Sequence, residues 1–565
     1  MPALEAENLQ AQQENRYWNP AVDLAQDLHE VYDLGQIEVG WPLGAQRLYE
    51  MVAREHSAAF VGLMFGDEGK GRFVDNKIDA MLDIPDVNIV YVVRFQGGSN
   101  AGHTLQHGEQ RMAVHQVPSG ILYPEAVGIM DQGMVIHPEN LKVEIEDIED
   151  RVGDLRGKLF LSEKAVLCTD LERAEEIFNR VLSGGRSDGG TSMGISPSYA
   201  GSLDRTGLSI KDFFQDRDEK GTWREKMAAR YDYYERYFGA FGYDLKDMEV
   251  PDLRATRQNK TATTRKVGTK EEFLDRLEEV RTWFLERDRD MGERRMIQDT
   301  LVIHHEIFNN AHIGVVLEGS QAIGLDKALG NRPDVTSSDT TVNGIIAGTG
   351  LWRPQDIAQR VGVFKLTYTS KVPDRAMPTQ IQLPEDFPKR VPQGQNVKDF
   401  LQIYLDAHIS TLNPDQIHAI WVIMYAYEVG TTTGRFRGIH YLDLPMARYN
   451  ARMGGIEMLG GTHLDVARVD EAGNPEPILV CTHYTRNGEV VPYRPGLEYA
   501  KGVTPHYVEL PGWDGREVAN AKSFDELPEN AKKFLAFMQR RIGVPIVAVT
   551  TGPARENYLD ISPSH

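Results

Sequence analysis

The sequence predicts an α/β fold: a large, mostly parallel β-sheet flanked by helices, with a P-loop-like glycine-rich loop at the end of one strand. Two observations carry this. First, AAFVGLMF (58–65) and NIVYVVRF (88–95) read as buried strands, and each breaks into a glycine-rich loop, GDEGKGRFVD (66–75) and QGGSNAGHT (96–104). Continuous apolar runs of this length suit strands covered on both faces. Second, the same pattern of strand then loop returns in VVLEGSQAIGLD (315–326) and VPIVAVTTGPARE (544–556). In such sheets ligands sit beyond the carboxyl ends of strands, where these loops fall.

In chain order, residues 1–57 read as an N-terminal helical extension. AVDLAQDLHEVYDLG (21–35) and AQRLYEMVAREHS (45–57) place apolar residues at helical spacing. Residues 58–565 read as one large domain with helical insertions around 210–300 and 385–425. The first insertion is rich in segments such as KEEFLDRLEEVRTWFLERDRD, a charge pattern that suits solvated helices on the sheet's flank. WVIMYAYEVGTTTGRFRG (421–438) gives a buried segment followed by a Thr/Gly/Arg loop, and no internal repeat or low-complexity tract appears.

Composition narrows the class. Of 565 residues, 41% are hydrophobic and 26% charged, as in a soluble enzyme with a large core. The net charge is -21 with no long Lys/Arg run, which argues against nucleic acid as a partner. Two distant cysteines, Cys168 and Cys481, form neither a disulfide framework nor a zinc pattern, and fit a reducing compartment. The polar, acidic start lacks the features of a secretory or transit segment, and no 18-residue apolar stretch exists, so the expectation is a cytoplasmic protein with no membrane partner.

The loops carry the chemistry. In GDEGKG, Gly66, Gly69 and Gly71 let backbone N–H groups approach a phosphate, the following helix N-terminus favours an anion, and Lys70 can meet its charge. A strict Walker A is excluded by Met64 and by Gly71 where Ser/Thr belongs. Asp67 inside a phosphate cradle is unfavourable unless it binds Mg²⁺ or takes a proton. His103, in a second glycine-rich loop, suits hydrogen bonding to a transferring phosphoryl group. Arg435 and Arg437 in GTTTGRFRG suit carboxylate recognition, because guanidinium forks bind carboxylates.

GDEGKG followed by a GGxNAGHT loop resembles adenylosuccinate synthetase, and the resemblance runs from about Phe60 to Arg555. It implies a GTP-dependent C–N ligase of purine biosynthesis that joins IMP to L-aspartate with Mg²⁺. It implies Asp67 as the base at purine N1 and a metal ligand, with the Gly102 carbonyl as the other ligand, and Lys70, His103 and Gln321 as further catalytic groups. GTP would meet Gly66, Glu68, Gly69, Lys70, Gly71, Gly102, His103, Thr104, His463, Asp465, Thr550 and Gly552. IMP would meet Asp67, Asn100, Thr191, Gln321, Thr336 and Arg435, with Arg205 reaching the site of the neighbouring subunit in a homodimer. Aspartate would meet Thr432, Thr433, Arg435 and Arg437. Taken singly, Thr191, Gln321 and Thr336 are ordinary turn or cap residues; their joint order carries the reading.

Four positions depart from the family pattern. Ser99 replaces a histidine, Met193 an arginine that helps bind aspartate, Pro373 a glycine, and His463 the lysine of the guanine-reading motif. Arg375 is a candidate to supply the cation lost at Met193. The segments between Arg205 and Gln321 and between Thr336 and Gly434 are longer than the family leads one to expect. The same mechanism on another purine nucleotide or amino acid, such as dGMP to 2-aminoadenylosuccinate, and a non-catalytic nucleotide-binding relative are the alternatives. Intact Asp67 ranks the dGMP branch second, because that branch replaces the residue at this position.

Overall fold

The computed structural model describes residues 24, 27–33, 54–107, 110–184, 191–259, 262–371, 377–392, 394–430 and 434–561. Pro373, Arg375, Thr432 and Thr433 lie outside the described residues, as do residues 34–53 and most of 1–26. The chain divides into two compact units. One comprises Gly44–Phe364 and Met453–Glu457, the other Met1–Leu43, Lys365–Arg452 and Met458–His565.

The first unit is built on seven strands: β1 (Arg54–Gly62), β2 (Ile89–Arg94), β3 (Ala126–Met130), β4 (Leu159–Ser162), β5 (Ile297–Gln298), β6 (Ile313–Ala322) and β7 (Ile357–Lys365). Their order is β5-β4-β3-β2-β6-β1-β7, and every neighbouring pair is parallel. The register sets Glu318 of β6 beside Phe60 of β1 on one side and Arg94 of β2 on the other. Three strand ends that lead into candidate loops are therefore adjacent.

β1 starts four residues before the predicted strand and stops at Gly62. Residues 54–57, read from periodicity as the end of a helix, join the sheet instead: Arg54 pairs with Ile357, Ser57 stands opposite Val315, and the Ser57 hydroxyl accepts the Ala358 N–H at 2.9 Å. Parallel pairing satisfies backbone groups on both sides of this central strand, and that outweighs a weak local helical pattern. Past Gly62, the chain leaves the sheet for a loop and then the helix α1 (Lys70–Leu82).

The 210–300 insertion contains the helices Trp223–Gly239 and Lys270–Asp288, as its periodicity predicts. They are more than a solvated flank. Trp223, Met227, Tyr231, Phe238, Phe273, Leu277 and Phe284 are buried in one apolar cluster with Leu141, Ile145 and Phe178. Burial of a large apolar side chain contributes about 1.5–3 kcal/mol, so this insertion is part of the unit's core.

In the second unit, β8 (Met458–Thr462) and β9 (Ile546–Thr550) pair in parallel, and β10 (Tyr558–Asp560) adds an antiparallel edge. The 385–425 region holds the helices Val397–His408 and Pro414–Tyr425, whose Leu401, Leu405 and Ile420 pack with Tyr368 and Val466. The described part of the N-terminal extension, including the helical turn His29–Asp33, meets the helix Glu529–Ile542: Asp27 pairs with Arg541 at 3.0 Å, and Tyr32 packs against Phe537. Among the described residues no helix is long and apolar enough to cross a membrane.

Candidate active site

Sequence-predicted residues gather in two groups, one in each unit. The first lies at the carboxyl ends of β1, β2 and β6. After β1 the loop 63–69 folds around Glu68, whose Oε1 accepts the backbone N–H groups of Met64 (3.0 Å), Phe65 (2.6 Å) and Gly66 (2.9 Å). The Lys70 ammonium donates to the Gly66 carbonyl at 2.6 Å and lies 3.6 Å from Glu68. Glu68 and Lys70 thus brace the loop from within, while Asp67 is exposed at its tip. Gly69 opens α1 at φ 79° with no side-chain cap, a conformation that favours glycine.

After β2, Arg94 is fully buried and donates to the His115 carbonyl and the Ser320 hydroxyl. Gln96 donates to the Ser320 carbonyl at 2.6 Å, and the Ser320 hydroxyl donates back to the Gln96 carbonyl at 3.1 Å. The two loops are thereby locked together. A Cβ on Gly97 would come within 2.7 Å of Ser320, and one on Gly98 within 2.5 Å of the Val135 carbonyl oxygen, so this close approach requires both glycines. Tyr199 ties in a third segment: its hydroxyl accepts from the Gly97 N–H at 3.0 Å and donates to the Gly133 carbonyl at 2.7 Å.

His103 is buried in this group, and its Nδ1 contacts the carboxylate of fully buried Glu318. Glu318 also accepts the Ser119 N–H at 2.9 Å and the Ser119 hydroxyl. Burial alone would raise the Glu318 carboxyl, but His103, Arg94 and Ser119 hold it down at about 2. Burial pushes the His103 imidazole below its ordinary value, with Arg94 and Lys70 acting in the same direction and Glu318 opposing them.

Several polar atoms here are buried without a hydrogen-bond partner among the described residues: Ser99 Oγ, Asn100 Oδ1, Gln96 Oε1 and both amide atoms of Gln321. Gln321 also holds a left-handed backbone at φ 55°. Unpartnered buried polar atoms and a strained residue in one place leave hydrogen-bonding capacity that a polar ligand could take up. Thr191 is exposed ahead of the helix Ile195–Asp204, where the neighbouring N–H groups of Ser192 and Gly194 donate to Glu176 at 2.9 and 2.6 Å. Thr336 donates its N–H to the Leu325 carbonyl at 2.7 Å. Gly102 is exposed and Thr104 lies in the strand His103–His107. Gly71 is in the first turn of α1. Arg205 is exposed at the C-cap of Ile195–Asp204 with φ 68°. Met193 is half-buried with Val135, Cys168, Ile195 and Tyr199, so the position takes part in apolar packing.

The second group centres on Glu428, which is buried and accepts from Lys365, Tyr368 and Arg437, the last at 2.9 Å. The Arg437 N–H also donates to the Glu428 carbonyl at 3.0 Å, and Lys365 donates to Ser370 at 2.7 Å. Burial opposes ionisation of Glu428, but Lys365, Arg437 and His463 hold its carboxyl far below the usual range. Arg435 is exposed in the same loop. His463 takes φ 61°, donates its N–H to the Thr550 hydroxyl at 3.3 Å, and stands edge-on to Tyr368 with ring centroids 5.6 Å apart. Asp465 is buried two residues on. Gly552 sits in the loop after β9, where a Cβ would come 2.8 Å from Asn557.

Sequence reasoning did not single out Arg94, Ser119, Glu318, Tyr199, Lys365, Tyr368 or Glu428. Glu318 and Glu428 stood inside quoted motifs, EGSQ and EVGTTTGRFRG, as isolated carboxylates in apolar runs. A charge in a buried run calls for a partner, and that was the available signal.

The family model for adenylosuccinate synthetase matches residues 59–559. The chain belongs to this family. An adenylosuccinate synthetase from Candida glabrata is 30% identical over 511 residues, covering 88% of this chain and 98% of the relative. One from Caldicellulosiruptor saccharolyticus is 31% identical over 504 residues, covering 89% and 98%. The structure of the fully ligated adenylosuccinate synthetase from Plasmodium falciparum superposes with a TM-score of 0.68 at 27% identity, covering 89% of this chain and 99% of that one. The family is one of GTP-dependent, Mg²⁺-using ligases, and the fold of this chain is the family's fold.

Proposed function

We propose that the protein phosphorylates the 6-oxygen of IMP with GTP and displaces that phosphate with L-aspartate, giving adenylosuccinate, GDP and phosphate. The observation that carries the reading is the meeting of the 63–69 loop with the start of α1, the 96–102 loop with His103, and Gln321 at three adjacent strands, with buried polar atoms there that have no partner among the described residues.

A purine 6-oxo group is amide-like and leaves badly until it is phosphorylated. Asp67 takes the N1 proton so that the 6-oxygen becomes nucleophilic. Asn100, Gln321, Thr191 and Thr336 hold IMP, and Lys70 and His103 meet charge on the transferring phosphoryl group. Mg²⁺ fits the exposed Asp67 carboxylate and Gly102 carbonyl, because this ion needs few protein ligands when substrate phosphates supply the rest. It would supply charge neutralisation on those phosphates. His463, Asp465, Thr550 and Gly552 read the guanine base. Thr432, Thr433, Arg435 and Arg437 hold the amino acid's carboxylates, and Arg375 adds a cation. Holding the amine against C6 makes the second step near-unimolecular, an effect that reaches about 7–11 kcal/mol in ideal cases.

The reading includes a homodimer in which Arg205 enters the neighbouring subunit's IMP site. Its exposure at a helix end, with Leu203 82% exposed beside it, supports this. It also includes a cytoplasmic setting, which suits two buried, unbridged cysteines. The test is phosphate release with IMP, GTP and Mg²⁺, with and without aspartate. Aspartate-dependent turnover that disappears in Asp67→Ala is expected. Nucleotide binding with no turnover would overturn the reading, and turnover only with another amino acid or with dGMP would redirect it.

A further inference from the structure

We propose that Glu318 is the positioning residue for His103: its carboxylate, pinned by Ser119, takes the Nδ1 hydrogen and so directs Nε2 toward the ligand. This rests on the role given to His103 above.

The geometry supports it from three sides. Glu318 is fully buried in β6, opposite the last residue of β2, and Ser119 holds both of its oxygens, the N–H on Oε2 at 2.9 Å and the hydroxyl on Oε1. The carboxylate therefore has little freedom to turn. His103 meets it through Nδ1, which also lies 3.2 Å from the Ser119 hydroxyl. Because a carboxylate only accepts, the contact assigns the hydrogen to Nδ1. Nε2 makes no hydrogen bond among the described residues and is the ring atom left for a ligand. Arg94 acts on Glu318 through its charge, but among the described residues no neighbouring Lys or Arg donates a hydrogen bond to it. Arg94 makes its hydrogen bonds to the His115 carbonyl and the Ser320 hydroxyl, and Lys70 is held by the Gly66 carbonyl and Glu68. Ring orientation by an outer carboxylate is a general device, and losing such a partner typically costs about 10–100-fold.

Glu318 is also the residue whose neighbours two and three positions on, Ser320 and Gln321, lock the glycine loop and line the nucleotide surface. One strand end thus orients a histidine and shapes the pocket it serves.

The test is a double-mutant cycle read in kcat. Glu318→Gln keeps the volume but offers one accepting oxygen where three donors converge. It should lower kcat by about 10–100-fold while leaving the KM for GTP, IMP and aspartate within roughly threefold. In a His103→Asn background the same substitution should cost nothing further. An undiminished loss in that background, or wild-type kcat in the single variant, overturns the proposal. Should Glu318→Gln fail to fold, Ser119→Ala removes one pin and should give a smaller kcat loss that also vanishes with His103→Asn. Imidazole ¹⁵N spectra, with the His103 signals identified by their absence from His103→Asn, give a second readout. Hydrogen on Nδ1 is expected in the wild type, and hydrogen on Nε2 alone overturns the proposal. A wild-type protein without aspartate-dependent phosphate release would sink the proposed function, whereas the spectra would still decide the Glu318–His103 contact.

Discussion

The loops after β1, β2 and β6 and the Glu428 cluster solve opposite problems. Around the loops, Ser99, Asn100 and Gln321 carry buried polar atoms without a partner among the described residues, and Gln321 is in a left-handed conformation. Around Glu428, one carboxylate gathers Lys365, Tyr368 and Arg437. The first region leaves hydrogen-bonding capacity unused within the described residues, at a cost in stability, and on the proposed function a ligand takes it up. The second uses that capacity to fix side chains in place. A substitution in the first should therefore strike turnover or binding more than folding, and one in the second should strike both.

The largest expected effect is Asp67→Ala. On the proposed function it should reduce turnover by about 10²–10⁴-fold with little change in thermal stability, since Asp67 is exposed at a loop tip. A matching fall in melting temperature would break the comparison. Next is Glu428→Gln. Removing the charge facing buried Lys365 and partly buried Arg437 should destabilise the protein by about 3–5 kcal/mol and raise the KM for aspartate, as denaturant unfolding and initial rates would reveal. A pure KM effect with unchanged stability would mean that the cluster acts as the loops do.

Asp443 sharpens the contrast within the second unit. It too is a buried carboxylate, but among the described residues its partners are the Tyr484 hydroxyl and the Met446 N–H, with no cation. Burial raises its carboxyl to about 6, against those two hydrogen bonds. Between the ordinary aspartate value and about 6, the folded chain keeps a proton that the unfolded chain has released. Stability therefore falls as pH rises through that window, by up to about 3 kcal/mol, and the full cost is present above it. Asp443→Asn should remove this pH dependence, so wild type and variant should diverge in melting temperature from pH 4 toward pH 7 in favour of the variant. Parallel curves would refute it. The smallest effect is Ser99→Ala, which deletes a buried hydroxyl lacking a partner among the described residues. Stability should hold or rise by about 1 kcal/mol, while nucleotide binding at the neighbouring Asn100 weakens. A clear loss of stability would show that the hydroxyl already serves the fold.

Much of the architecture was legible because strands and loops advertise themselves locally. The runs at 88–95, 315–326 and 544–556 became β2, β6 and β9 with their loops, and the helical pattern near 270 became Lys270–Asp288. The charge pattern of the 210–300 insertion concealed its role, because charges on exposed faces dominate composition while Trp223, Phe273 and Phe284 bury the opposite side. The first four residues of β1 were hidden for a related reason: REHS has no strand pattern, and only the pairing of Arg54 with β7 and of Ser57 with β6, on either side of a left-handed His56 at φ 59°, brings it into the sheet.

By itself, the sequence determined the class of sheet, the position of each glycine-rich loop and the family, because loop glycines and their spacing are local requirements of backbone approach and of positive φ. The tertiary structure alone decided which charges meet. Glu318 and His103 are separated by more than two hundred residues, as are Arg94 and Ser320, and nothing in either local run names its partner. A buried charge is tolerated only where another group satisfies it, and that condition is settled by strand order and register.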